Sequence, residues 1–298
     1  MIEVRLLVKM NFRGGFRVGR GDESDSTLPT IHSDTIYGAI VYHAFKHSDK
    51  AEDFAKNLKV SSLIFLKKSD KKERLLVPKP LSYNVLDPED EDSKKGDFKK
   101  LKKANYVFLD SLKDYTSIEK AMESVCEESP VEVSRIPRNT LDRVTNSSNL
   151  YFVEVAFVKE SFTPVVLAEF PDEYEELFKA SVRSLGDSGL GGDSTYGYGL
   201  FDADFEEAPF LSEEGKYYLS LSLFIPSVEE RRRLNEGFYK VVRRRGVKKD
   251  VMKVKKELHY IQEGSVFPFK PVGRGVLKIE DYFVQTSPLC VAFGGDAS

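Results

Sequence analysis

Cysteine is scarce in this chain of 298 residues, and histidine is little more frequent. Cys126 and Cys290 lie too far apart in sequence to suggest a disulfide framework or a CxxC metal site. The four histidines, which form no HExxH motif, are His32, His43, His47 and His259. His43 and His47 have the i, i+4 spacing of helical metal ligands, but no carboxylate or cysteine accompanies them in a recognisable pattern. We therefore expect no metal, no other cofactor, and a reducing, cytoplasmic environment.

Long apolar runs and a strong charge of one sign are also absent. No stretch approaches the ~20 apolar residues of a membrane-spanning helix, so we expect no membrane partner. Residues 1–10 alternate apolar and charged side chains, unlike the apolar centre of a signal peptide. Lys and Arg number 45 against 48 Asp and Glu, a net charge of −3. The protein is not a polycation, so any surface that binds nucleic acid must be local.

The sequence does contain alternating strand and helix patterns, and its 41% hydrophobic residues suffice for a core. The segment HSDTIYGAIVYHAFKH, residues 32–47, carries an apolar stripe at helical spacing, with Ser33 as the expected N-cap. A second helix is predicted at 171–185, and strands are predicted at 2–10, 60–66, 150–158, 164–170 and 200–207. This order predicts an α+β fold with helices on one face of an antiparallel sheet.

Two domains are expected from this pattern. The first spans residues 1–208. Around Pro209 the pattern restarts, with a predicted strand at 217–225 and several later strands, so a second, smaller α+β domain is expected at 209–298. Residues 86–103 interrupt the first domain, because an acidic run is followed there by a basic run with almost no apolar residue. That composition predicts a flexible or projecting excursion rather than a packed element.

The segment SLGDSGLGGDSTYGYGLF, residues 184–201, contains six glycines. It has no lysine of a Walker loop, and it closes a helix and opens a strand, the reverse of a Rossmann fingerprint. Glycine lets the backbone approach another molecule closely, so N–H groups of Gly189, Gly191 and Gly192 could converge on an anion. A bulky side chain at Gly191 or Gly192 would then obstruct binding. The alternative is a turn in which the glycines serve chain geometry alone.

Two further segments combine arginine with loop residues. FRGGFRVGRG (12–21) contains Arg13, Arg17 and Arg20, and SRIPRNTLDR (134–143) contains Arg135, Arg138 and Arg143. Guanidinium groups bind phosphates in a bidentate fork. If these segments meet the glycine-rich segment at one edge of the sheet, their arginines could line one groove. Each arginine taken singly is more simply a solvated surface charge.

Several motifs together resemble the RAMP superfamily of CRISPR-associated RNA-binding proteins. They are GGFRVG, IHSDTIYGAI, PKPLSY, SRIPRNTLDRVTNSSNLYF and LGDSGLGGDSTYGYGLF, and YIQEGSVFPFK in the second half also fits. Within the superfamily, the sequence is most similar to the family of the fourth subunit of the type III-A (Csm) effector complex. The resemblance implies two ferredoxin-like (RRM-like) domains and a non-catalytic scaffold role. Residues 86–103 would correspond to that family's thumb.

The resemblance also implies partners. Such a subunit binds the 5′ handle of the guide RNA and joins the large polymerase-like subunit to the backbone RAMP subunits, in antiviral defence. The predicted RNA-binding residues are Gly14, Gly15, Arg17, Arg20, His32, Ser33, Arg135, Arg138, Asn139, Arg143, Gly189, Gly191, Gly192, Ser194, Tyr196, Gly197, Tyr198 and Gly199. Tyr196 and Tyr198 could stack on bases.

Two other functions remain open from the residues. Some RAMP proteins cleave precursor RNA without metal, and His32, before the helix start, is the candidate base. No second histidine or lysine is visibly placed beside it to protonate the leaving oxygen, so no catalytic residue is assigned. The other alternative is a scaffold that contacts proteins only and binds no RNA.

Overall fold

The computed structural model describes residues 3–19, 25–68, 72–85, 95–112, 118–145, 147–208, 211–248 and 253–294. Within these ranges the α-helices are α1 (Ser33–His47), α2 (Ala51–Asn57), α3 (Lys95–Lys103), α4 (Ile118–Ser124), α5 (Glu175–Ser188) and α6 (Val228–Arg231). Short 3-10 turns lie at Leu81–Val85, Leu109–Ser111, Asp172–Tyr174, Ser194–Tyr196 and Leu234–Glu236.

The strands of the first part are β1 (Glu3–Phe12), β2 (Lys59–Val60), β3 (Ile64–Lys67), β4 (Arg74–Pro78), β5 (Tyr106–Phe108), β6 (Val125–Cys126), β7 (Val131–Leu141), β8 (Ser148–Val158), β9 (Phe162–Pro171) and β10 (Phe201–Glu207). Those of the second part are β11 (Tyr217–Ser220), β12 (Val241–Arg244), β13 (Val247–Lys248), β14 (Lys253–Val254), β15 (Leu258–Ile261), β16 (Val266–Phe267), β17 (Val276–Ile279), β18 (Tyr282–Gln285) and β19 (Cys290–Phe293).

The largest sheet has the strand order β10-β1-β9-β3-β4-β5-β6, and β2 also pairs with β9. Its pairings are antiparallel. Four neighbouring strands of this sheet are β10, β1, β9 and β3. In the chain, α1 lies between β1 and β3 and α5 lies between β9 and β10, which gives the βαββαβ order of a ferredoxin-like domain. The predicted α+β fold with antiparallel sheets is confirmed.

Both faces of this sheet are buried. On one face, apolar residues such as Val8 and Val166 pack in the same core as Phe178 of α5. On the other face, Leu7 and Leu167 share a core with Leu219 and Val291 of the C-terminal part. Each such side chain contributes about 1.5–3 kcal/mol when it is fully buried. The C-terminal part is therefore packed onto the sheet through a shared core.

The described C-terminal residues differ from the second ferredoxin-like domain that the family resemblance implies. They form a three-stranded sheet, β16-β11-β19, and two-stranded ribbons, and their α-helix α6 has only four residues. The predicted strand at 217–225 ends at Ser220. There the Ser220 hydroxyl donates to the Ser222 carbonyl, and the Leu289 N–H donates to the Ser222 hydroxyl at 2.8 Å. Serine side chains thus replace part of the sheet hydrogen bonding.

The described part of the predicted excursion is a packed helix, and residues 86–94 lie outside the described ranges. Helix α3 covers 95–103, and its Leu101 is fully buried in the core beneath the sheet. Lys79 of the PKPLSY motif donates its Nζ to the Leu101 carbonyl at 2.6 Å. Burial lowers the pKa of Lys79 to about 8. The prediction of an unpacked excursion is therefore wrong for residues 95–103.

A different element extends outward from the body. Strands β7 and β8 form their own two-stranded sheet, paired without interruption from Val131 with Val158 to Leu141 with Ser148. The described residues of its far half, 139–150, are exposed. One face carries Leu141, Leu150 and Phe152, which are 66%, 62% and 51% exposed. The projecting hairpin, rather than the described residues 95–103, is the element with the form expected of a thumb.

Candidate nucleic-acid interface

Three segments meet at one end of the sheet: the loop at 13–19, the projecting hairpin β7–β8 and the glycine loop at 189–200. Phe16 forms an isolated bridge with Ala156 of β8. The Gly192 N–H donates to the Arg17 carbonyl at 2.8 Å, and the Gly199 N–H donates to the Gly15 carbonyl at 2.9 Å. The structure therefore brings together the three segments that the sequence singled out.

The glycines of this loop are required mainly by internal packing. Gly191 has φ +99°, and a Cβ there would overlap the carbonyl oxygen of Arg17. Gly199 has φ +75°, and a Cβ there would overlap the carbonyl oxygen of Leu190. Gly192 differs, because its φ is ordinary and the nearest atom to a Cβ would lie 3.8 Å away. A side chain at Gly191 would therefore meet the chain's own backbone, whereas one at Gly192 would enter open space. The expected obstruction of RNA binding at either position stays a prediction.

The predicted phosphate cradle of backbone N–H groups is not built as expected. The Gly189 N–H donates to the Leu185 carbonyl at 2.8 Å and closes helix α5. The Gly192 N–H is used by Arg17, as described above. Because both donors are satisfied internally, the prediction that they face phosphates is wrong for this conformation.

Arg138 occupies the centre of the interface. It lies on β7, and its Nη1 is 2.8 Å from the Asp193 carboxylate. Its guanidinium lies 4.1 Å from the ring centre of Tyr196 and 5.6 Å from that of Tyr198. Burial lowers the pKa of Arg138, but the contact with the Asp193 carboxylate and the nearby Tyr198 and Tyr151 hydroxyls raise it more, so the net shift is upward. The group is a permanent cation held among aromatic rings.

Arg17 has a different role from the one expected. Its side chain is only 9% exposed, its Nε donates to the Glu154 carbonyl at 2.8 Å, and its Nη1 contacts the Asp193 carboxylate. Arg17 therefore joins the N-terminal loop, the hairpin and the glycine loop from inside. It is an anchor of the interface rather than an exposed phosphate ligand.

The remaining predicted residues lie at several depths. Arg135 is exposed, 3.9 Å from Glu154, and Arg143 is exposed at the end of the hairpin. The Asn139 side chain accepts a hydrogen bond from the Ser148 hydroxyl at 2.8 Å. Gly14, Ser194, Tyr196, Gly197 and Tyr198 line the outside of the loop cluster, and Gly15 lies beneath it. Arg20 lies outside the described residues.

His32 and Ser33 are inside the protein. The His32 Nδ1 is 2.7 Å from a carboxylate oxygen of Glu263, and both side chains are more than nine-tenths buried. Ser33 is the first residue of α1 rather than its N-cap, and its hydroxyl accepts from the Leu223 N–H at 2.9 Å. Their burial does not fit direct RNA contact, and we leave both out of the interface proposed below.

Sequence reasoning missed three contributors. Asp193 contacts Arg17 and Arg138, which are distant from it in sequence, so no local pattern indicates its role. Leu150 and Phe152 gave a usable signal: they stand two apart on a predicted strand, and such residues share a face. Among the described residues, no group of three or more His, Cys, Asp and Glu is arranged to hold a metal.

The fold and the loop cluster together define a RAMP protein. The RAMP superfamily model matches residues 12–202, and the model of the CRISPR Csm4 C-terminal domain matches residues 213–284. The chain is 31% identical over 215 residues to the "CRISPR system Cms protein Csm4" of Thermococcus onnurineus (strain NA1), a match covering 68% of this chain and 69% of that protein. The chain belongs to the RAMP superfamily and, within it, to the Csm4 family.

Solved structures show the same fold. A chain of the Csm1-Csm4 cassette in complex with cA4 has a TM-score of 0.64 at 22% identity, and the match covers 98% of each chain. A chain of the Csm3-Csm4 subcomplex of the type III-A interference complex also has a TM-score of 0.64, at 18% identity, covering 99% of this chain and 100% of that one. No helix within the described ranges is both long and apolar enough to cross a membrane.

Proposed function

We propose that this chain is a non-catalytic, RNA-binding subunit of a type III-A CRISPR (Csm) effector complex, and that the loop cluster binds the 5′ handle of the guide RNA. The observation that carries the proposal is Arg138, a cation held beside Tyr196 at the surface of that cluster. Tyr196 has one ring face against the guanidinium and is 66% exposed. A base can stack on the free ring face while the arginine attracts the backbone.

The partners follow from the relatives. Csm4 chains have been solved in a cassette with Csm1 and in a subcomplex with Csm3. We propose the same two kinds of partner here, a large subunit and a backbone RAMP subunit. The exposed Leu141, Leu150 and Phe152 of the projecting hairpin support a contact beyond the chain itself, because an apolar face of this kind marks an interaction surface.

No observation favours the nuclease alternative. A general base needs access to a 2′-hydroxyl, and His32 is buried with its Nδ1 held by Glu263. The protein-only scaffold alternative makes a different prediction from ours. A scaffold would bind RNA weakly and without dependence on Arg138, whereas phosphate contacts give an affinity that falls steeply with salt.

The test is binding of labelled handle RNA by the purified chain and by the assembled complex, at about 50 to 200 mM salt. We expect Arg138→Ala to weaken binding about tenfold, because it removes one charge and one stacking support. The matched control is Arg74→Ala. Arg74 lies on β4, stacks on Phe108 at 3.8 Å and pairs with Asp110, so it has the same chemistry outside the interface.

We expect the control variant to bind RNA like the wild type. Equal affinity of the Arg138→Ala variant, with its melting temperature unchanged, would mean that RNA does not bind at this cluster. Salt-independent binding by the wild type would instead favour the protein-only scaffold.

A further inference from the structure

One carboxylate lies between two guanidinium groups at the centre of the loop cluster. Asp193 stands at the start of the turn Ser194–Tyr196, with φ 58° and ψ 30°. Its Oδ2 contacts Nη1 of Arg17 and Nη1 of Arg138. Left-handed backbone is unfavourable for most residues other than glycine, although Asp and Asn tolerate it best. The loop thus holds Asp193 in an uncommon conformation that places its carboxylate between the arginines.

One carboxylate is shared by two cations. Asp193 contacts both Arg17 and Arg138, so among the described residues Arg138 has no carboxylate of its own. Within the described residues, the Arg138 Nη2 is buried and has no hydrogen-bond partner. A buried donor without a partner typically costs about 1–3 kcal/mol, so its presence calls for an explanation. A bound anion would supply the missing acceptor and give Arg138 an anion of its own.

We propose that Asp193 is an internal substitute for phosphate, and that an RNA phosphate binds here by displacing the Asp193 carboxylate from Arg138. This inference rests on the proposed RNA-binding function and identifies how its central site is occupied. Arg138 then offers Nη1, released by Asp193, and the unpartnered Nη2 as a bidentate fork. Asp193 stays paired with the buried Arg17.

The arrangement also selects the ligand chemistry. The Arg138 guanidinium has Tyr196 on its face, and its Nη1 and Nη2 lie in the guanidinium plane, where hydrogen bonds form. A phosphodiester on that edge places the neighbouring base close to the exposed ring of Tyr196. The site therefore fits a phosphate with an attached nucleobase better than a protein carboxylate, which brings no ring to stack.

The test compares Asp193→Asn with the wild type in the handle-RNA binding assay. Asparagine keeps the size and tolerates the left-handed backbone, but it is a weaker competitor for a guanidinium. We expect RNA binding about threefold to tenfold tighter. Asp193→Gly, which permits the same backbone, should change affinity in the same direction. In an Arg138→Gln background the gain from Asp193→Asn should disappear, because the competition takes place at Arg138.

The control is Asp202→Asn. Asp202 lies on β10 and pairs with Arg13 at 2.5 Å. Its substitution by asparagine removes the same charge as Asp193→Asn, at a residue with no described contact to Arg138. A gain equal to that of Asp193→Asn would reduce the effect to long-range charge and overturn the proposal. Weaker RNA binding by the folded Asp193→Asn variant would also overturn it, because Asp193 would then position the arginines. If the wild type binds no handle RNA, alone or in the complex, the proposed function itself fails and this inference with it.

Discussion

Gly191 and Gly192 are adjacent in sequence but face different constraints. Gly191 has positive φ and lies against the Arg17 carbonyl, whereas Gly192 has ordinary backbone and open space. We expect Gly191→Ala to lower the free energy of unfolding by about 1–3 kcal/mol, because the backbone is strained and the contact with the 13–19 loop must open. Gly192→Ala should be nearly neutral. Urea unfolding of both variants measures the difference.

Equal stability of these two variants would contradict the packing described for the loop. Guide RNA recovered per assembled complex is the second readout. Gly191→Ala should lower it through the displaced loop, and Gly192→Ala should leave it unchanged because the Gly192 N–H remains bonded to Arg17.

His32 is expected to act on stability and not on catalysis. Its imidazole is bonded to Glu263, whose other carboxylate oxygen has no partner among the described residues. His32→Ala removes the partner of the second oxygen as well, so the buried Glu263 carboxylate loses its contact with the imidazole. We expect a loss of about 1–3 kcal/mol in the free energy of unfolding. RNA processing by assembled complexes that contain the folded variant should be unchanged. Loss of cleavage with RNA binding intact would instead support the nuclease alternative.

The pair offers its own control. Glu263→Gln in the His32→Ala background should recover part of the lost stability, because a neutral amide is less costly to bury unpaired than a carboxylate. Additive losses in the double variant would show that the two side chains act independently.

The projecting hairpin has two faces with different expected roles. Leu150 and Phe152 are exposed, whereas Val153, one position along β8, is 3% exposed. We expect the double variant Leu150→Ser, Phe152→Ser to keep the wild-type melting temperature, because little surface was buried by these side chains. It should weaken assembly with the backbone subunit, measured by co-elution. Val153→Ala is the matched control and should lower stability instead.

If the double variant assembles like the wild type, the exposed apolar face of the hairpin is not an interaction surface with that subunit. If it unfolds, the face is packed more closely in solution than its exposure indicates.

These elements also show which features a sequence reveals. The strands and helices of the main sheet were predictable because each has a buried face that repeats at period 2 or 3.6. Helix α3 was missed because Leu101 is almost the only apolar anchor within a run of lysines, and its burial depends on Lys79 and the sheet. The burial of Arg17 could not be predicted either, because the Glu154 carbonyl that it contacts is 137 residues away in sequence.

The C-terminal part was predicted least well, for a physical reason. Its apolar residues alternate like those of strands, but Leu219 and Val291 bury against the sheet of the first part rather than against helices of their own. A pattern within one segment cannot tell which partner covers it. The meeting of two of the three segments was predictable. The loop at 13–19 follows β1 and the glycine loop precedes β10, and these two strands are neighbours in one sheet.

The two parts of the molecule are also joined by a chain of ion pairs. Glu169 on β9 pairs with Lys59 at 2.7 Å and with Arg5 at 2.9 Å, and Arg5 continues to Glu213 in the C-terminal part. Lys270 is the last member of this row of ion pairs and lies 3.5 Å from Glu213. Glu169 is the most buried acid of this network, so its ionisation state should influence the stability of the whole molecule.

Acid should therefore weaken the folded protein through Glu169. Burial raises the pKa of Glu169, but Lys59 and Arg5 lower it more, so the net pKa lies below its ordinary value. A group with a depressed folded pKa contributes stability that is present above its unfolded pKa and is lost as pH falls through the folded pKa. We expect Glu169→Gln to lower the free energy of unfolding at pH 7 by about 1–3 kcal/mol. Urea unfolding from pH 7 downward should show this difference shrinking below about pH 4. The control is Glu52→Gln, which removes an exposed carboxylate paired with Lys56 and Lys278 and should show no comparable difference. A Glu169→Gln effect that stays constant with pH would mean that packing, and not the charge of Glu169, holds this junction together.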